Sequence, residues 1–184
     1  MTYKEYGPLA SIIGTWQGDS GMDIAPESDG VEENPYYETL VCEAAGDLTN
    51  AETQQLWVVR YRQEVRRKSN DEVFHDQVGY WMWDEAQQLV IQSLSIPRAV
   101  CVLAGGKAST TAEGATQIVV SASLDDPHWN ILQSPFMAKN AKTTSYHHSI
   151  TVKGDSMKYT ESTLLDIYGR EFDHTDGNTL HRIA

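Results

Sequence analysis

The chain has 184 residues and carries 14 Lys plus Arg against 26 Asp plus Glu, a formal charge of −12. A surface that acidic repels phosphate backbones and anionic headgroups, so neither nucleic acid nor membrane is an expected partner. The length suits one domain, residues 1–184, with enough chain to bury a core without disulfide staples.

Residues 3–13 predict one short N-terminal helix, interrupted at Gly7-Pro8. After it the apolar period becomes two. Strands are predicted over 15–22, 36–44, 55–65, 73–83, 89–96, 98–104, 117–124, 143–152, 157–167 and 179–183. Residues 55–65 show the pattern well: Trp57, Val59, Tyr61 and Val65 alternate with Arg60, Arg62 and Glu64, and Arg66 continues the second set. Arg60, Arg62 and Arg66 therefore read as a solvated outer face. Turns are expected at Ser69-Asn70-Asp71, Gly105-Gly106, Gly154-Asp155 and Gly177-Asn178. The acidic, Pro- and Gly-containing stretch 23–34 reads as a mobile loop beside an opening. The connection 125–140 carries Trp129 and Phe136, with a further helical turn expected over 131–139.

About ten short strands with so little helix predict an all-β fold, a closed antiparallel barrel in preference to a sandwich. Trp16 stands between glycines in Gly14-Thr15-Trp16-Gln17-Gly18, where an indole suits the plugged end of such a barrel. Cys42 and Cys101 lie inside separate strand-like runs and read as buried free thiols. That usage, without an apolar leader or a run of membrane-spanning length, predicts a cytoplasmic protein.

Generic catalytic templates are missing: no HExxH, no zinc-spaced cysteines, no Gly-x-Ser-x-Gly and no Walker loop. What remains is a barrel with six histidines. His75 shares strand phase with Gln77, Trp81 and Trp83, so it faces inward if the Trp side is interior. The neighbours His147 and His148 must face opposite ways, and His128 is expected at the surface. His174, in Glu171-Phe172-Asp173-His174-Thr175-Asp176, is expected on a rim loop, with Asp173 or Asp176 orienting its ring. The local sequence alone favours an ordinary loop histidine.

The order of landmarks resembles that of the nitrobindins, ferric-haem β-barrels shaped like lipocalins and fatty-acid-binding proteins. The resemblance runs through Gly14-Thr15-Trp16-Gln17-Gly18, Pro35-Tyr36-Tyr37-Glu38, Phe74-His75-Asp76-Gln77-Val78-Gly79-Tyr80-Trp81 and Phe172-Asp173-His174 with Asn178-Thr179-Leu180-His181-Arg182. It implies haem b held by His174, with His75 on the distal side and Leu94, Trp81 and Trp57 lining the pocket. It also implies conversion of peroxynitrite to nitrate at the ferric iron, and binding of nitric oxide. The chain departs from the pattern in an extra residue before Gly21, in Ala25-Pro26-Glu27, and between His174 and Leu180.

A second reading is a non-enzymatic carrier of an apolar small molecule such as a fatty acid, with Trp57, Tyr61, Trp81 and Trp83 around the cavity. Arg98 and Arg170 are the only arginines expected near its interior. A third is a barrel filled by its own side chains. An outward aromatic such as Tyr80 would allow a homodimer.

Overall fold

In the computed structural model, which describes residues 3–184, the alternating runs form strands of one antiparallel sheet. In chain order these are β1 (Gly14–Pro26), β2 (Val31–Ala51), β3 (Gln54–Arg67), β4 (Val73–Asp84), β5 (Leu89–Ile96) and β6 (Val100–Thr110). They continue as β7 (Thr116–Ser123), β8 (Ile131–Gln133), β9 (Ala141–Lys153), β10 (Ser156–Ile167) and β11 (Arg170–Arg182). Ten long strands run in the order β5-β4-β3-β2-β1-β11-β10-β9-β7-β6, and pairing of β5 with β6 closes the ring. The three-residue β8 pairs with β6 at Val100, Cys101 and Val102, beyond the stretch that pairs with β7. Closure leaves the long strands among the described residues without a free edge for another chain to pair with.

One end of the barrel is sealed. A 3-10 helix (Lys4–Ser11) buries Tyr6 and Leu9 against the end of the sheet, followed by buried Ile12. Trp16 is fully buried beside it, its indole N–H donating to the Ile12 carbonyl at 2.8 Å. The Arg182 guanidinium lies 4.1 Å above the Trp16 ring. The expected indole plug is therefore present. Gly18 is required by close approach: a Cβ there would stand 2.6 Å from the Thr179 carbonyl oxygen of β11.

Several expectations for the connections need correction, most of them because the strands are longer than the apolar pattern shows. Residues 23–26 end β1 and 31–34 begin β2, which shortens the expected loop to 27–30, and Asp23 and Asn34 are buried. Gly105-Gly106 lies inside β6, where Trp129 covers Gly105 from outside the barrel. Gly177-Asn178 lies inside β11. Residues 131–139 divide into β8 and a short helix α1 (Pro135–Asn140), capped by Ser134. Cys42 is buried as expected, but Cys101 is exposed because it occupies an outward position of β6.

The chain reverses between β10 and β11 at Tyr168-Gly169, with φ of 54° and 73°. Two consecutive positive φ values make a tight hairpin turn whose twist matches the strands. Gly169→Ala is expected to cost about 1 kcal/mol, read as a lowered Tm with the fold unchanged by circular dichroism.

Candidate functional site

The inward faces of β10 and β11 build one wall of the barrel, and pairing places their side chains in rows. Leu165 faces Phe172, Thr163 faces His174, Glu161 faces Asp176, Tyr159 faces Asn178, and Met157 faces Leu180. The apolar end of this ladder belongs to the sealed core. The middle is polar, and it opens into a cavity of about 400 Å³ at the other end of the barrel.

His174 therefore stands on a strand, not on a rim loop as the sequence suggested. Its position is set by the tight turn that precedes β11. Its Nε2 donates to Oδ1 of Asp23 at 2.6 Å, and Oδ2 of Asp23 accepts from Asn34 at 3.0 Å. Neither aspartate expected to orient His174 does so. Asp173 accepts from Ser162 at 2.5 Å, and Asp176 has no bond to the ring among the described residues. Asp23 comes from β1, which pairs with β11 on its other side.

His75 lines the same cavity from β4. Its Nε2 lies 3.2 Å from Oε1 of Gln77, and burial holds its pKa below the ordinary histidine value. His174 lies near enough that a proton on it depresses His75 further. Leu94 also lines the cavity. Trp81 and Trp57 stand elsewhere. Trp81 is buried beneath, its ring centroid 5.6 Å from that of His148, and Trp57 packs on Tyr6 at the sealed end, 5.2 Å between centroids. Both indoles serve the core because they follow the inward phase of strands that run deeper than the cavity. His147 and His148 face opposite ways, and His128 is exposed, as expected.

The sequence reading missed Arg67. It lies next to outward Arg66, so strand alternation sends it inward, and it lines the cavity together with Arg98 from the β5–β6 turn. The Arg67 guanidinium lies 5.0 Å from the centre of the Phe74 ring, and its buried Nε has no hydrogen-bond partner. Parity alone would have found it. Arg170 stays at the exposed rim, bonded to the carbonyls of Glu27 and Gly30 at 3.0 and 2.5 Å.

Below the cavity lies a buried polar layer. Glu38 accepts from Gln63, Tyr159 and Asn178 at 2.7, 2.8 and 2.8 Å, and burial raises its pKa. Tyr61 accepts from Gln77 and Gln92 at 2.7 and 2.9 Å. Tyr146 donates to Oε2 of Glu161 at 2.9 Å. Burial drives the pKa of His148 down to about 3 and that of Glu161 up to about 7. Such a layer demands partners for every group, so it specifies a unique packing. Among the described residues, no three His, Cys, Asp or Glu side chains are grouped to hold a bare metal ion.

The comparisons with known proteins decide the lineage. The family described as "THAP4-like, heme-binding beta-barrel domain" matches residues 5–182. The chain belongs to that family. The THAP4-like match spans the landmarks that carry the nitrobindin resemblance and includes His75 and His174. Among solved structures, Rv2717c from M. tuberculosis superposes with a TM-score of 0.73 at 20% identity, covering 100% of this chain and 98% of that one. At that identity the likeness is one of fold. No curated protein matches this THAP4-like chain in sequence.

Proposed function

We propose that the open cavity binds haem b and that His174 is the side chain that reaches the iron. The observation that carries this is the convergence of two imidazoles, His174 and His75, on one cavity in a barrel of the THAP4-like heme-binding family. The remaining lining suits the group. Leu94, Val100, Val102 and Leu165 supply an apolar wall for a porphyrin face. Arg67, with its unpartnered buried Nε, and Arg98 supply cations for the propionates.

With Nε2 of His174 donating to the Asp23 carboxylate, the lone pair of the neutral ring sits on Nδ1, which makes no hydrogen bond among the described residues. Coordination through Nε2 instead needs that bond to break. With Nδ1 as the ligating atom the Asp23 bond is kept, and Asp23 would orient the ring and increase its basicity. His75 is kept neutral by burial, so it offers the distal space a hydrogen-bonding nitrogen without a charge. A ferric haem bound here supplies a Lewis-acid iron, the chemistry on which isomerisation of peroxynitrite to nitrate and binding of nitric oxide depend. The protein's own contribution is to fix the ring, exclude bulk water from the apolar wall and hold the propionate end.

A second reading is favoured by the same two arginines. They face a half-apolar cavity in the way a carboxylate carrier requires, which strengthens the fatty-acid-like alternative. Hemin and palmitate titrations of the ligand-stripped protein separate the two. Under the haem reading a shifted, saturable Soret band is expected, and palmitate competes weakly. Arg67→Met is expected to weaken hemin about tenfold and to reduce the salt dependence of binding. A protein that binds palmitate and gives no saturable Soret band is a carrier.

A further inference from the structure

The cavity wall holds a feature that neither reading uses. Asp23 on β1 is the register partner of Asp176 on β11, and Asp176 is the register partner of Glu161 on β10. Three carboxylates thus stand side by side across three neighbouring strands, all lining the cavity. Like charges directly opposite on paired strands are unfavourable, and they become more so away from water. A sequence would discard such a row unless something in the cavity answered it.

The protein's own groups answer it unequally. Asp23 has His174 and Asn34. Glu161 has the Tyr146 hydroxyl at 2.9 Å, with His148 Nδ1 at 3.7 Å. Among the described residues Asp176 has no such partner: its Oδ1 is sealed from solvent and unbonded. Arg67 and Arg98 enter the same cavity, yet among the described residues neither makes an ion pair with the row. A cavity-lining carboxyl group without a hydrogen-bond partner, beside a second carboxyl group, is an acceptor arrangement awaiting donors. A bare metal ion is not indicated, since no three ligating side chains are grouped for one among the described residues.

We infer that the Asp176–Glu161 pair is a recognition element for an organic cation, the primary ammonium head of a small amphiphilic amine. Its three N–H donors meet the carboxyl groups that Asp176 and Glu161 contribute to the cavity lining, and its positive charge offsets the row. Its hydrocarbon body lies on the wall formed by Leu94, Val100, Val102 and Leu165. The commitment to an ammonium over a neutral donor follows from the two adjacent acids: burial and their acidic neighbours hold both carboxyls above the ordinary range, and a cation between them returns both towards ionisation, which a hydroxyl cannot do. This inference does not rest on the haem reading, because it invokes neither iron nor His174 as ligand.

Isothermal titration of the ligand-stripped protein with hexylammonium and with hexan-1-ol tests it, since the two probes share a tail and differ in the head. Hexylammonium is expected to bind about tenfold or more tightly than the alcohol. That preference is expected to fall below about threefold in Glu161→Gln and in Asp176→Asn, each measured separately, while exposed Asp166→Asn keeps it. Acid-to-amide changes preserve shape, and melting curves establish that each variant is folded before it is titrated. The inference is overturned if the alcohol binds as well as the amine, if neither binds, or if the preference survives both substitutions. Hemin titrations of the same samples report on the haem reading independently, so failure of one is distinguishable from failure of the other.

Discussion

His174→Ala is expected to abolish the saturable Soret shift produced when the wild-type protein is titrated with hemin, a loss of about a hundredfold or more in affinity. The size follows from the site: two histidines line the cavity, and the other one, His75, is bonded to Gln77 two residues along its own strand, β4. Removing the ring also strands Asp23, a buried carboxylate whose remaining partner is Asn34. A purely structural loss is separated from loss of a ligand by adding free imidazole, which is expected to restore the spectrum in the alanine variant alone. Asp23→Asn gives a companion readout, because an amide cannot hold Nε2 as a carboxylate does. The iron spectrum is expected to change while the protein still binds hemin. Equal hemin binding by wild type and His174→Ala would remove His174 from the site.

Glu161→Gln is expected to stabilise the protein, and to do so increasingly with pH. Burial lifts the Glu161 carboxyl from 4.5 to about 7. A folded-state pKa above the unfolded one means the native state binds more protons through that window. Stability is therefore present below about pH 4.5 and is lost as pH rises towards 7. Glutamine cannot ionise, so the variant avoids this loss while its carbonyl still accepts from Tyr146. The gain should be small at pH 5 and reach about 2–3 kcal/mol at pH 8, a rise of several degrees in Tm.

His148 supplies an internal check of opposite sign. Its pKa falls from 6.5 to about 3 on burial, so its contribution is lost as pH drops below 6.5. The two effects offset each other between about pH 4.5 and 6.5 in the wild type. Without Glu161 the His148 effect is uncovered, and melting temperature should climb with pH across that range. A variant whose profile runs parallel to the wild type would show that Glu161 carries no proton linkage.

The barrel was legible because most strands bury one face in an apolar core. Trp57, Val59, Tyr61 and Val65 alternate with charged neighbours, and that alternation both names the strand and gives its inward face. The Trp16 plug was legible for a similar reason: few positions other than a sealed end accept an indole between glycines. Around the cavity the same rule loses its signal. Phe172, His174, Asp176 and Asn178 all point inward, yet only the first is apolar, so β11 reads as a loop. Asp23 and Asn34 mislead likewise at the ends of β1 and β2, since a polar interior written in sequence looks like solvent exposure.

The amino-acid order by itself determined the class of fold, its sealed end, and the inward phase of His75, because each depends on neighbours along one strand. Only the tertiary structure decided that Asp23, distant in the chain, holds His174, and that three carboxylates share one row. It alone brought Arg67 and Arg98 to one opening and left Trp57 and Trp81 below it. Those are facts of register between strands and of depth along the barrel. Both are set when the sheet closes on itself, and no local pattern encodes them.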